Sequence, residues 1–192
     1  MTGTNGVDMS QYQAGNALRS FTGLDFCIAK ATEGTTVKDP TYNQWASEAE
    51  ELGIAFGAYH FFHAENLNAD AQADMFCAYA RPRNGLMLWL DYETWGASGE
   101  VDAQEIALFT DTVRLNVPEA KVGIYTNGTG LARILPYRHT IQMAALWYAD
   151  NRPMLDQGAL LGWEIHQYEV LNGVDRDYSK WTRAQMDAYA AW

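Results

Sequence analysis

The chain has 192 residues, and its 24 Asp and Glu against 13 Lys and Arg give a formal net charge of −11 at neutral pH. This acidic balance argues against a nucleic-acid partner, which requires a basic surface, and against binding to an anionic membrane. The hydrophobic share of 48% excludes an intrinsically disordered chain. No apolar run approaches the roughly 18 residues of a membrane-spanning helix. The first residues also lack the basic and apolar segments of a secretory signal.

Short apolar runs alternate with amphipathic stretches, which is typical of a β/α fold with a mainly parallel sheet. A helix is predicted after Asp39, which can cap it with Pro40 at the first helical position, and Gly53 ends it. Further helices are predicted at 68–80, from about 102 to 117, and at 182–191. Eight strands are predicted, at residues 6–9, 26–31, 54–62, 86–93, 122–126, 146–149, 163–168 and 174–177.

Eight strands leave too little chain for eight full helices. The strands from Leu146 onward follow one another through short connections, with no clear helix between them. A barrel built from these elements would therefore be irregular and shorter than the usual length of about 250 residues. No internal repeat and no Pro- or Gly-rich linker divides the sequence, so we expect one domain over residues 1–192.

Carboxylates follow several of the predicted strands. Asp91 and Glu93 end the strand at 86–93, and the two-residue period of a strand puts both side chains on one face. The carboxyl end of a parallel strand opens onto the catalytic mouth of a β/α fold. Asp8 ends the first strand and Asp175 lies on the last, so these two meet if the barrel closes.

The Asp-x-Glu pair has two readings. Taken alone, Asp91 can cap the next segment and Glu93 can be solvated. With Asp8 and Asp175 beside them, four carboxylates share one pocket. Because like charges and burial raise a carboxyl pKa, such a pocket can keep an acid protonated near neutral pH, and we favour this reading.

Aromatic residues with polar tips end other predicted strands, and aromatics make up 13% of the chain. Singly, such rings belong to a core or a rim. Around one mouth they would surround the carboxylates with flat stacking faces, which suits a saccharide. The segments concerned are 58–62, 124–126, 146–148 and 166–168.

The candidates for a metal site are His60 and His63, with Glu65 nearby. On a strand these two histidines face opposite sides, which makes a poor chelate, so we expect no metal and no cofactor. Cys27 and Cys77 lack metal-site spacing and lie in apolar patterns. They allow a single disulfide, but we expect buried free thiols.

Several short segments occur in an order that matches a known family. They are GVDMS at 6–10 with Tyr12 and Gln13, IAKATEG at 28–34, GAYHFF at 57–62, LDYE at 90–93, IYT at 124–126, WYA at 147–149, HQY at 166–168 and VD at 174–175. Any one of them is unspecific, whereas the ordered set over essentially the whole chain is specific. Together they resemble the Ch-type muramidases of glycoside hydrolase family 25, which include bacteriophage endolysins.

The resemblance implies an α/β fold, an irregular (β/α) TIM-like barrel with an incomplete helix complement in its C-terminal part. It also implies hydrolysis of the β-1,4 bond between N-acetylmuramic acid and N-acetylglucosamine in peptidoglycan. Glu93 matches the general acid/base, Asp91 the residue that stabilises a substrate-derived oxazolinium, and Asp8 and Asp175 two further pocket acids. Participation of the substrate's 2-acetamido group would make this an exception to the usual two-carboxylate scheme.

The resemblance further assigns a set of substrate-binding positions. The corresponding residues are Lys30, Glu33, Tyr59, Tyr125, Tyr148 and Gln167. Asp177 adds an acid to the last strand, where we expect Asn in many family members.

The resemblance implies peptidoglycan glycan strands as the partner, with no nucleic acid and no membrane insertion, and we expect a monomer. It implies action on the bacterial cell wall, after synthesis in the host cytoplasm and release through a phage membrane hole. Two other functions stay open: a non-catalytic saccharide-binding module that uses the same aromatic mouth, and a zinc amidase built on His60 and His63.

Overall fold

Eight of nine strands close into a barrel in the computed structural model, which describes residues 3–150 and 163–192. The strands are β1 (Thr4–Met9), β2 (Phe26–Glu33), β3 (Val37–Lys38), β4 (Ala55–Phe62), β5 (Leu86–Tyr92), β6 (Val122–Asn127), β7 (Leu146–Ala149), β8 (Ile165–Leu171) and β9 (Val174–Ser179). The helices are α1 (Tyr42–Leu52), α2 (Ala69–Ala80), α3 (Gly99–Asn116), α4 (Gly128–Ile134), α5 (Arg138–Ile141) and α6 (Arg183–Ala190).

The barrel order is β1-β2-β4-β5-β6-β7-β8-β9, and β9 pairs back onto β1. Every neighbouring pair from β1 to β8 is parallel, whereas β9 runs antiparallel to both β8 and β1. The predicted irregular α/β barrel is confirmed, and each of the eight predicted strands corresponds to an observed one. The two-residue β3, which pairs with β2, escaped prediction because both its residues are exposed and it is too short to show a period.

Most helices begin and end near the predicted residues. α1 begins after Thr41 rather than after a capping Asp39; the Asp39 carboxylate instead accepts hydrogen bonds from the Thr41 backbone N–H and hydroxyl at 2.9 and 2.6 Å. α3 begins three residues before Asp102, because the Ser98 hydroxyl caps it by accepting from the backbone N–H of Val101.

Two short helices, α4 and α5, follow β6 and were not predicted, since seven and four residues show too little periodicity. The expected absence of a helix between the seventh and eighth strands concerns residues 151–162, which lie outside the described residues. Across the described residues, no helix is both long and apolar enough to cross a membrane.

Side chains on the strands alternate between the barrel interior and the helix layer. Along β5, Met87 and Trp89 belong to an interior cluster, whereas Leu88 and Leu90 belong to an outer cluster that packs against the helices. Trp89 fills the interior opposite Gly123, where a Cβ atom would lie 2.3 Å from the indole ring. The barrel is therefore a packed core along most of its length.

Helix α6 covers the amino-terminal end of the barrel. Its Met186 and Tyr189 pack with the interior cluster, and the Tyr189 hydroxyl donates to the Leu88 carbonyl at 3.4 Å. The backbone N–H of Gly85, just before β5, donates to the Ala190 carbonyl at 3.0 Å. With this end filled, the described residues leave the interior open at the carboxyl-terminal end of the parallel strands.

Both cysteines are free thiols, as predicted. Cys27 is buried in the outer cluster, whereas Cys77 on α2 is only partly buried.

Candidate active site

A cleft of about 170 Å³ opens at the carboxyl-terminal end of the parallel strands. Carboxylates and aromatic rings dominate its wall. Its lining residues are Asp8, Ser10, Tyr12, Lys30, Tyr59, Phe61, Asp91, Glu93, Tyr125, Trp147, Gln167 and Asp175. The structure therefore brings together eight of the ten site residues named from the sequence; Glu33 and Tyr148 are the two that do not line the cleft.

The alternation of side chains along each strand explains the acidic wall. Asp91 continues the interior face of Met87 and Trp89, and Glu93 stands one residue beyond the end of β5 on the same face. Asp8 lies near the end of β1 and Asp175 at the start of β9. Because β9 runs antiparallel, its start lies at the same edge as the ends of the other strands, and Asp8 and Asp175 are register partners.

A hydrogen-bonded chain crosses the cleft floor. The Tyr125 hydroxyl donates to Gln167 Oε1 at 2.7 Å, and Gln167 Nε2 donates to Asp8 Oδ2 at 2.8 Å. Asp91 is 6% exposed, and its Oδ1 has no hydrogen-bond partner among the described residues. Asp8 is thus held by a hydrogen bond from Gln167, whereas Asp91 Oδ1 is buried without such a contact among the described residues.

Burial and mutual repulsion raise the pKa of every acid in the cleft. For Asp8, burial and then the charge of Asp175 raise the pKa to about 8. Burial, with Glu93 and Asp8 nearby, raises the pKa of Asp91 well above its ordinary value. Burial and the Asp175 charge raise the pKa of Glu93, although a hydrogen bond with Tyr125 acts in the opposite direction. Burial likewise raises the pKa of Asp175. Near neutral pH the cleft therefore holds protonated carboxyls.

Aromatic rings form the neutral part of the wall. Trp147 packs edge-on against Tyr125, with ring centroids 4.6 Å apart, and against Tyr59 at 6.3 Å. Tyr125 and Trp147 are register partners on parallel strands and so face the same side. Tyr12 stands at the edge and is 82% exposed.

The structure does not place Tyr148, a substrate-binding residue named from the sequence, among the residues that line the cleft. Because Trp147 faces inward, its neighbour Tyr148 must face outward, where it packs with Leu131, Leu146 and Trp163. Trp147 is the site residue that the prediction missed, and the alternation along β7 was the signal that could have found it.

Lys30 is the cation of the cleft, and Glu33 contacts it from outside. Lys30 Nζ lies 2.5 Å from Glu33 Oε2, and His63 Nε2 lies 3.2 Å from Glu33 Oε1. Burial raises the pKa of Glu33, but the hydrogen bonds from Lys30 and His63 outweigh it and lower that pKa overall. Glu33 therefore fixes Lys30 without lining the cleft itself.

His60 is not available as a metal ligand. It is fully buried on the outer side of β4, with Thr32 Oγ1 at 2.7 Å from its Nδ1 and Gln72 Oε1 at 3.1 Å from its Nε2. Burial lowers the pKa of His60 to about 3. No group of three or more His, Cys, Asp or Glu in the described part of the chain could hold a metal ion. The zinc amidase hypothesis thus loses the residue pair on which it depended.

Comparison with known proteins gives a consistent family assignment. Over 80 residues the chain is 36% identical to Lysozyme M1 of Streptomyces globisporus, covering 40% of this chain and 27% of that protein. Over 122 residues it is 34% identical to an N,O-diacetylmuramidase of Chalaropsis sp, covering 55% of this chain and 58% of that protein. The chain thus spans less than two thirds of the length of these curated relatives.

The fold of this chain is also similar to those of solved structures. The structure of a muramidase from Trichobolus zukalii superposes with a TM-score of 0.83 at 24% identity, covering 97% of this chain and 98% of that one. The model of the family described as glycosyl hydrolases family 25 matches residues 7–174. The chain therefore belongs to glycosyl hydrolases family 25.

Proposed function

We propose that this protein is an N-acetylmuramidase, a lysozyme that acts on the bacterial cell wall. It cleaves the β-1,4 bond between N-acetylmuramic acid and N-acetylglucosamine in peptidoglycan strands, and residues 1–192 act as one catalytic domain. The observation that carries this proposal is the meeting of Asp8, Asp91, Glu93 and Asp175 in one cleft walled by aromatic rings. Family membership and the muramidase relatives support the same substrate.

Glu93 is the general acid in this proposal. Its raised pKa favours the protonated side chain, and its partial exposure lets a glycosidic oxygen approach. It protonates the leaving oxygen as the bond breaks and then, as a carboxylate, activates the water that completes hydrolysis.

Asp91 stabilises the positive charge that forms at the sugar. In the proposed mechanism the substrate's own 2-acetamido oxygen attacks the anomeric carbon, which gives an oxazolinium and retention of configuration. Asp91 lines the cleft, so its side chain can accept a hydrogen bond from the acetamido N–H. The positive charge that forms favours the ionised form of Asp91, and in a buried site few water molecules screen the two charges from each other.

The remaining cleft residues bind and orient the strand. Asp8 is held by Gln167, and Asp175 stands opposite it, so both can accept hydrogen bonds from sugar hydroxyls. Tyr59, Tyr125 and Trp147 offer ring faces and edges against the sugar rings.

Replacing Glu93 by Gln tests the proposal directly. The amide cannot give up a proton, so we expect a loss of about 10²–10⁴ in kcat on purified peptidoglycan. Activity is measured as release of new reducing ends, with folding checked by circular dichroism. Glu50→Gln, an exposed position on α1, is the matched control and keeps full activity. Near-normal activity in a folded Glu93→Gln protein would contradict the role of Glu93.

The products identify the bond. After digestion, borohydride reduction and mass spectrometry, reduced muramic acid ends support the muramidase assignment. Reduced glucosamine ends would still indicate a glycosidase, but one that cleaves the other glycosidic bond of the strand. Binding to cell walls without any new ends would favour a saccharide-binding module instead.

A further inference from the structure

One buried acid beneath the cleft has no part in the mechanism above. Asp177 lies on β9, two residues beyond Asp175, and is only 1% exposed. Its register partners are Gly6 on β1 and Gln167 on β8, so it faces the barrel interior directly below the catalytic wall.

The contacts of Asp177 satisfy only one of its two oxygens. Trp147 Nε1 donates to Oδ1 at 2.8 Å. Oδ2 is buried and receives no N–H or O–H donor from residues 3–150 and 163–192. An ionised carboxylate with a bare buried oxygen is costly, whereas a protonated carboxyl carries its own donor.

The donor on Asp177 has an acceptor within reach. Asp177 and Asp8 are diagonal neighbours on the interior face of β9 and β1, because Asp175 is the register partner of Asp8 and Gly6 is that of Asp177. Gln167 Nε2 already donates to Asp8 Oδ2. Two ionised carboxylates cannot hydrogen-bond each other, so a hydrogen bond between Asp177 and Asp8 requires a proton between them.

We propose that Asp177 is a positioning residue that stays protonated in the working enzyme and shares its proton with Asp8. Once Asp8 ionises, the two carboxyls together carry a single negative charge. The shared proton fixes the orientation of Asp8 at the cleft floor and limits the negative charge beneath Glu93. The proton sharing is inferred from the burial of Asp177, its Oδ2 without a donor among the described residues and its position beside Asp8. Its effect on catalysis rests on the proposed muramidase activity.

The groups around Asp177 make ionisation unfavourable. Burial raises the pKa of Asp177 well above its ordinary value, and the charges of Asp8 and Asp175 add to this effect. The titratable groups that interact electrostatically with Asp177 are Asp8 on β1, Cys27 on the outer face of β2, Tyr125 on β6, Tyr168 on β8 and Asp175 on β9 itself.

Asp177→Asn tests whether Asp177 is protonated in the folded protein, and the test needs no activity assay. An unfolded aspartate ionises near pH 4, whereas the folded protein keeps this proton, so the folded state binds one more proton and loses stability as the pH rises. The amide has no proton to keep. We therefore expect Tm of Asp177→Asn minus Tm of the wild type to grow by about 3–5 °C per pH unit between about pH 4 and about pH 7.

The control for this measurement is Asp111→Asn, which removes a carboxyl that is 69% exposed on α3. Its Tm difference from the wild type stays nearly constant over the same range. A constant or shrinking difference for Asp177→Asn would overturn the proposal. If Asp177→Asn fails to fold, the side-chain carboxyl ¹³C resonance of Asp177 in the wild type decides: a protonated shift at neutral pH supports the proposal, and a carboxylate shift overturns it.

A pair of variants tests the positioning role. Asp177→Leu removes the donor to Asp8, and we expect kcat on peptidoglycan to fall about tenfold with KM within about twofold of the wild type. Asp177→Asn restores an N–H donor and recovers kcat to within about threefold. Equal kcat values in the two variants would overturn the positioning role. A wild type with no activity would instead defeat the proposed function, and the Tm measurement would still decide the proton.

Discussion

At the scale of single residues, Asp91 and Glu93 have the same chemistry and different surroundings. Asp91 belongs to β5 and is buried, whereas Glu93 stands just past the strand end and is partly exposed. Burial raises the pKa of both, but Glu93 is more open than Asp91 to an approaching substrate. This difference in access favours Glu93 as the proton donor of the proposed mechanism, although the sequence shows the two acids as a pair.

Asp175→Asn should change the pH dependence of catalysis. The negative charge of Asp175 helps to raise the pKa of Glu93, so its removal favours the ionised form of Glu93. The protonated acid is then lost at a lower pH, and we expect the alkaline limb of the kcat/KM profile to move to lower pH. Asp111→Asn serves as the control. An alkaline limb that stays in place or moves to higher pH would contradict the coupling between these two carboxyls.

At the scale of elements, the connection that follows Glu93 is held by two helices. Asp102 of α3 accepts hydrogen bonds from the Gly96 backbone N–H at 2.7 Å and from the Tyr92 hydroxyl at 2.5 Å. Arg133 of α4 pairs with the same carboxylate and donates to the Gly96 carbonyl at 2.7 Å. Glu93 thus extends from a strand end whose next residues are fixed, which limits its motion without direct contact.

A second element-scale feature is the plug at the amino-terminal end of the barrel. Met186 of α6 is fully buried in the interior cluster. Met186→Ala removes this packing and leaves a cavity, so we expect the free energy of unfolding in urea to fall by about 2–5 kcal/mol. Leu115→Ala on α3 is the matched control, because Leu115 is 83% exposed and its loss should cost less than about 0.5 kcal/mol. Similar losses for the two variants would show that α6 does not close the core.

At the scale of the whole molecule, the cleft makes stability depend on pH. The pKa of Asp8 is raised to about 8, and the pKa values of Asp91 and Asp177 are raised well above their ordinary range, all chiefly by burial. These carboxyls ionise near pH 4 in the unfolded chain, so between about pH 7 and about pH 8 the folded state binds more protons than the unfolded one.

Stability should therefore fall as the pH rises through this window. Each carboxyl that stays protonated in the folded state contributes a loss of about 1.4 kcal/mol per pH unit. Urea unfolding at several pH values checks the slope, and the same series on Asp177→Asn should give a shallower one. A free energy of unfolding that is constant or rises over the window would contradict a protonated cleft.

Much of this protein was predictable from its sequence because the relevant signals are local. The two-residue period put Asp91 and Glu93 on one face, and strand-length apolar runs gave all eight barrel strands. The same rule, applied along β7, would have predicted Trp147 rather than Tyr148 as the residue that lines the cleft. Short elements such as α4 and α5 escaped because too few residues carry a period.

The sequence by itself determined which strands form, which side chains share a face, and which acids end a strand, since each depends on neighbours along the chain. Only the tertiary structure decided that β9 runs antiparallel to its neighbours. Asp175 therefore pairs with Asp8 from the start of β9 rather than from its end. The tertiary structure alone decided that Asp177 is buried beside Asp8 with an oxygen lacking a donor in the described residues, and that Asp102 fixes the segment after Glu93. These features depend on barrel closure, which joins residues more than 160 positions apart, and no local pattern records such a contact.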